Sequence, residues 1–312
     1  MTFQGIRTMA TGLLLAGLAG CAHTGHSART DTGTEAIYVA HDVIGDGVFS
    51  AGIEGPAFGP DGALYAVSYG HDGTIGRVTF DADGKATATL FTTLPAGSTG
   101  NGIRFGADGS MYIADYSGHR VLRIAPGERE AEVFANMPQA NQPNDIALAP
   151  DGTLYASDPK WADGSGQLWR IDRSGTPHLL ESGMGTTNGV EVSPDGKRLY
   201  VNESVQRKVW VYDIRADGSV VNKRLLIAFD DHGLDGMRTD VRGNLYIARY
   251  AAGVVAVVSP DGTRLREVTL KGRKPTNVAF GGPDGRTVFV TLQDRGAIEA
   301  FRAEYAGREA GL

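Results

Sequence analysis

Residues Thr186–Ser204 read TTNGVEVSPDGKRLYVNES, and the fold follows from the fact that this phrase returns. Apolar residues alternate on both sides of an Asp-Gly step, the pattern of two short strands joined by a tight turn. PNDIALAPDGTLYASDP (143–159) lies upstream and LDGMRTDVRGNLYIARY (234–250) downstream. With three further variants, the frame occurs six times, starting at Glu54, Asn101, Asn144, Asn188, Asp235 and Asn277. Successive starts are 42 to 47 residues apart, enough chain for about four short strands per unit.

A second hairpin follows the first in several units, as in GQLWRIDRSGTPHLLES (166–182) and VWVYDIRADGSVVNKRLLIAF (209–229). Two hairpins make one blade, so six units predict an all-β, six-bladed β-propeller with four-stranded blades over 36–305, and a C-terminal tail over 306–312. The last unit stops one strand short, whereas EAIYVAHDV (35–43) is a strand without a unit of its own. Pairing the two would complete the last blade, close the ring and remove an exposed edge. Forty-four glycines in 312 residues agree with a chain rich in tight turns.

The formal net charge of −6, with no basic stripe to offset it, excludes nucleic acid as a partner. Residues 1–20 carry Arg7, an apolar run around Leu13–Leu18 and then small residues, the pattern of an export signal too short to span a bilayer as a stable helix. LAGC (18–21) resembles a lipobox and ends in the only cysteine of the chain. Cys21 is therefore expected to be the lipidated first residue of a lipoprotein, followed by a flexible tether over 21–35. The expected location is the bacterial cell envelope, facing the periplasm, with membrane attachment through the lipid at Cys21.

The first residue of each repeat carries a second message. In a propeller, equivalent positions on the innermost strands form a ring around the central channel, and here that ring is Glu54, Asn101, Asn144, Asn188, Asp235 and Asn277. All six carry side-chain oxygens. Asn and Asp at a strand entry can serve turns, but Glu54 fits that role poorly, and six converging oxygens point to a hard cation. Two carboxylates with amide oxygens suit Ca²⁺, while a core without Cys and without paired His spacing argues against Zn²⁺. A second layer is expected after the second strand of each unit, at Ser68, Asp115, Asp158, Glu203, Arg249 and Leu292, with the loop PKWADGSG (159–166) placing Trp161 as a pocket wall.

Through EGPAF (54–58), NDIALAPDG (144–152), NGVEVSPDGKRLYV (188–201), LDGMRTDVRGNLYIA (234–248) and PTNVAFGGPDGRTVFVT (275–291), the chain resembles the senescence marker protein/gluconolactonase/luciferin-regenerating enzyme family over about residues 40–305. The resemblance implies a divalent cation, most often Ca²⁺ with Mn²⁺, Mg²⁺ or Zn²⁺ as alternatives, and hydrolysis of a small-molecule lactone or related ester. It maps the family's metal-binding Glu, Asn and Asp onto Glu54, Asn188 and Asp235, and its substrate-contacting Asn onto Asn144. Asn101, Asp158 and Trp161 complete the expected substrate contacts. The general base is expected to be Asp235 or Asp145, the latter because it need not be neutralised by the metal. The chain departs from the family at Gln142, where gluconolactonases carry an Arg, and at Lys160 and Trp161. Two other readings stay open: a non-enzymatic ligand-binding propeller with a structural calcium, and metal-independent condensing or lyase chemistry of the strictosidine synthase kind, against which the Glu54–Asp235 acid set counts.

Overall fold

Each copy of the repeated phrase forms the two inner strands of an antiparallel four-stranded sheet, and the second hairpin supplies the two outer ones. The computed structural model describes residues 36–309. The export signal, Cys21 and tether expected over 1–35 lie outside the described residues. In the fourth blade the strands Thr187–Val192, Arg198–Glu203, Lys208–Ile214 and Val220–Ala228 follow in order from the axis outward. Six such blades are present, and every inner strand touches the inner strand of the blade before and the blade after, so the ring is closed. The structure is thus the all-β, six-bladed propeller expected.

The Asp-Gly steps are the turns between the two inner strands. Asp61, Asp108, Asp151, Asp195 and Asp284 each accept a backbone N–H two residues on, and the following glycine takes a positive φ that an L side chain adopts only with strain. The fifth blade has Arg242 at this position. There Asp240 takes over the anchoring and accepts from the N–H groups of Arg242 and Asn244.

The apolar residues of the alternating strands pack between blades rather than within them. Six clusters occupy the six blade–blade interfaces. One, for example, joins Tyr200, Val209 and Val211 of blade 4 to Met237, Leu245 and Ile247 of blade 5. A single blade cannot cover its own faces, so the ring is the smallest unit that buries this surface.

Closure uses the N-terminal strand, as expected, but over a shorter range. His41–Ile44 pairs antiparallel with Ala297–Arg302 and becomes the outermost strand of the last blade. The strand expected over 35–43 is interrupted because Tyr38 has φ 62°, outside the extended region; Ile37 makes only an isolated bridge to Arg302. A second tie comes from the other terminus. Gly307 bridges to Asp240 in blade 5 and donates to the Gly285 carbonyl in blade 6, while Arg308 donates to the Leu148 carbonyl in blade 3 and to Glu191 in blade 4. The packed chain therefore continues past 305 into the segment read as a tail.

Candidate active site

Around the axis the repeats lose their regular pairing at the first position. In blades 2, 4 and 6 the register shifts between Gly100 and Ile103, Thr187 and Val190, and Pro275 and Asn277. In blades 1, 3 and 5 the inner strand starts only at Ala57, Ile146 and Met237, after the ring residue. This irregularity frees the ring side chains from strict alternation. The next residue is glycine in four blades because neighbouring inner strands nearly touch there. A Cβ on Gly236 would stand 1.9 Å from the Asn277 side chain, and one on Gly55 would stand 1.9 Å from the Asn101 carbonyl oxygen.

Five of the six ring residues line one cavity of about 430 Å³: Glu54, Asn101, Asn144, Asn188 and Asp235. Asn277 does not reach it. Its side chain is buried and supports another ring member, with Nδ2 donating to Glu54 Oε2 at 3.0 Å and Oδ1 accepting from the Val278 N–H at 2.9 Å. Glu54 Oε2 also accepts from the Gly55 N–H at 2.6 Å.

The two carboxylates of the ring lie close enough to act on each other's ionisation, and the Asn188 amide lies beside Asp235. Burial first, and the nearby Asp145 charge second, push the Glu54 carboxyl up to about 7. Burial and then the Glu54 charge hold the Asp235 carboxyl well above the usual carboxylate range. The buried Oδ1 atoms of Asn144 and Asn188 accept no hydrogen bond. Two crowded carboxylates and two unpartnered amide oxygens at the floor of one cavity form a donor set that fits a hard divalent cation. Among the described residues no three His, Cys, Asp or Glu side chains group to hold a metal, so any site here mixes carboxylates with amides.

Two of the expected site residues lie off the cavity wall. Asp145, a candidate base, lies beneath the ring and not on the cavity wall. The backbone of Gly102 covers it, its Oδ1 accepts from the Ile146 N–H at 2.9 Å, and Arg104 pairs with it at 3.2 Å. Asp158, a candidate substrate contact, is fully buried. It accepts from the N–H groups of Asn141 and Gln142 and from Trp169 Nε1, so its carboxylate holds the loop entering blade 3.

Other acids of the second layer also hold loops. Asp115 accepts from the Thr99 N–H and Glu203 from the Gly185 N–H, each anchoring the loop that leads into its own blade. Side chains alternate along a strand, so the cavity is met one residue later. Tyr116, Ser204, Tyr250 and Gln293 line it, each directly after a second-layer position, and Trp161 lines it as expected. The signal was present in the sequence, one position beyond the set that was read.

A further group escaped the sequence reading entirely. Three residues after Asn101, Asn188 and Asp235, the inner strands carry Arg104, Glu191 and Arg238, all buried. Arg104 and Arg238 face Asp145 at 3.2 and 3.7 Å, and Arg308 enters from the C-terminal segment to bond Glu191 at 2.6 Å. Arg238 Nη1 also donates to Asn277 Oδ1 at 3.3 Å, which links this charged layer to the residue supporting Glu54. Charged residues where alternation calls for apolar ones, in NGIR, NGVE and DGMR, were the available signal.

Known proteins share this architecture. The chain is 36% identical over 129 residues to the pentonolactonase XacC of Haloferax volcanii, covering 40% of this chain and 44% of that protein. It is 31% identical over 134 residues to the gluconolactonase of Zymomonas mobilis, covering 40% and 37%. The matched stretch spans less than half the length of these curated relatives. A calcium-binding regucalcin from Agrobacterium tumefaciens superposes with a TM-score of 0.72 at 20% identity, over 86% of this chain and 95% of that one. A gluconolactonase from Xanthomonas campestris does so with a TM-score of 0.69 at 20% identity, over 84% and 89%. At that identity the structures share the fold. The SMP-30/Gluconolactonase/LRE-like region matches residues 54–294, from the first ring residue into the last blade, and the chain belongs to that family.

Proposed function

We propose that the protein is a lactone hydrolase that works with a divalent cation, Ca²⁺ first among the candidates. The observation that carries this reading is the convergence of Glu54, Asn144, Asn188 and Asp235 on one cavity floor, with the amide oxygens of both asparagines unpartnered. The names of the relatives, two lactonases and a calcium-binding regucalcin, support it.

Glu54, Asn188 and Asp235 would hold the cation, with the Asn144 oxygen beside them. When bound, it supplies polarisation of the ester carbonyl and stabilisation of the oxyanion. The chain contributes the rest. Asn277 and the Gly55 N–H fix the Glu54 carboxylate. The amide groups of Asn101 and Asn144 orient the substrate above it. The Asp235 carboxylate accepts the proton of the attacking water and returns it to the ring oxygen as the acyl C–O bond breaks, a role commonly worth ~10²–10⁴-fold in rate. Export to the cell envelope, with lipidation of Cys21, is part of the same proposal and rests on the LAGC sequence.

The experiment is a panel of lactones and aryl esters assayed with Ca²⁺, Mn²⁺, Mg²⁺, Zn²⁺ and a chelator, with melting temperature recorded in parallel. Cation-dependent ring opening is the expected result. A chelator-sensitive melting temperature without turnover of any ester would replace the hydrolase with a binding propeller.

A further inference from the structure

The cavity walls differ in chemistry from its floor. Tyr116, Trp161 and Tyr250 present three aromatic side chains, and Thr99, Ser204 and Gln293 present neutral hydrogen-bonding groups. Tyr116 and Trp161 both line the cavity, and the Tyr250 hydroxyl donates to Gln293 Oε1 at 2.5 Å. Among the described residues no Lys, Arg or His lines the cavity. Nearby cations are engaged elsewhere. Lys160, next to Trp161, pairs with Asp163 at 2.7 Å, and the buried Arg249, next to Tyr250, pairs with Asp231 at 2.7 Å while packing on the Phe229 ring. Lys274 Nζ stands 5.8 Å from the Tyr250 ring centroid, but it is exposed and outside the cavity lining.

We propose that this cavity selects a neutral cyclic ester, with a ring face against Trp161 and Tyr116, and rejects lactones bearing a phosphate, sulfonate or carboxylate substituent. The inference rests on the hydrolase reading above and adds the substrate class. Its basis is charge. The floor carries two carboxylates, which one divalent cation balances, so an anionic substituent would be desolvated in a space with no counter-charge left for it. Aromatic walls instead reward the apolar face of a ring, whose hydroxyls can reach Ser204, Gln293 and Asn101.

The test uses the full chain loaded with Ca²⁺ and compares glucono-1,5-lactone with its 6-phosphate, in turnover and, with the corresponding lactams, in binding by calorimetry. We expect kcat/KM and lactam affinity at least ~100-fold higher for the neutral compound. Trp161→Ala should raise KM about tenfold with kcat changed little, and Trp161→Phe should restore KM. Equal or better handling of the phosphorylated compound overturns the proposal, as does a Trp161→Ala variant with unaltered KM and lactam affinity. If neither lactone is opened but the neutral lactam still binds with the stated preference, the hydrolase reading falls and the selection of a neutral cyclic ligand stands.

Discussion

Asn188 opens the repeat TTNGVEVSPDGKRLYVNES, and its counterparts Glu54 and Asp235 open two others. At the residue scale, that divergence within a shared frame is where the candidate chemistry sits. Asp235 is the most demanding member, because it both contributes to the cation site and is assigned the proton. Replacement by the isosteric amide, Asp235→Asn, is expected to lower kcat/KM by at least ~100-fold. It should also abolish the rise in melting temperature expected when Ca²⁺ is added to the parent protein. An Asp235→Asn protein that kept cation-dependent turnover would remove this residue from the mechanism. Asn277 shows the opposite case, a ring position whose side chain serves a neighbour and never reaches the cavity.

At the scale of the element, the lesson is about loops and the acids that hold them. Asp115, Asp158 and Glu203 each sit near the end of a second strand and accept backbone N–H groups from the loop entering the same blade. Asp158 also receives Trp169 Nε1. Asp158→Asn would turn an acceptor into a group that must donate toward N–H bonds, leaving buried partners unsatisfied. A loss of about 1–3 kcal/mol in unfolding free energy is expected, read from denaturant titration. Because its side chain does not line the cavity, KM should change less than threefold; a larger rise would return Asp158 to the substrate-binding set.

Two closures hold the whole molecule together. The first is the strand His41–Ile44 on the last blade, reinforced where Asp42 meets Arg295 at 2.5 Å and Lys271 at 2.9 Å. Hydrogen bonds from Arg295 and then Lys271 hold the Asp42 carboxyl at about 2, below its ordinary 3.8. A depressed carboxylate stabilises the fold above its unfolded pKa, so this contribution is complete above about pH 4 and is lost as the pH falls through about 2. Asp42 is well exposed, so the effect should be small and sensitive to salt. Asp42→Asn should flatten the fall in melting temperature between pH 4 and 2 at low ionic strength; an unchanged profile would show that the pair contributes nothing to closure.

The second closure is the C-terminal segment, which carries Arg308 into the channel against the fully buried Glu191. Arg308→Ala leaves that carboxylate without its close partner, and a loss of about 3–5 kcal/mol is expected. Arg308→Ala with Glu191→Gln removes the stranded charge and should recover part of it, measured as a double-mutant cycle. If the double variant is no more stable than Arg308→Ala alone, the charge pairing is not what the segment contributes.

Composition and repetition alone were sufficient for the architecture. A phrase repeated every 42 to 47 residues, with alternating apolar positions around an Asp-Gly turn, can bury its faces only by stacking against copies of itself. The ring of oxygen-bearing first residues was equally legible, because equivalent positions in a closed ring must meet at the axis. What the sequence could not decide was which side of a strand each residue faces where pairing becomes irregular. A slip of one position exchanges cavity and interior, so the cavity is lined by Tyr116, Ser204 and Tyr250, one residue beyond the expected second-layer positions Asp115, Glu203 and Arg249. Nor could it show which side chains from different blades come into contact. Asp145 lies under the ring and Asn277 beneath Glu54, while Arg308 reaches Glu191 across 117 residues of chain. Those placements depend on distances set only when six blades close around one axis.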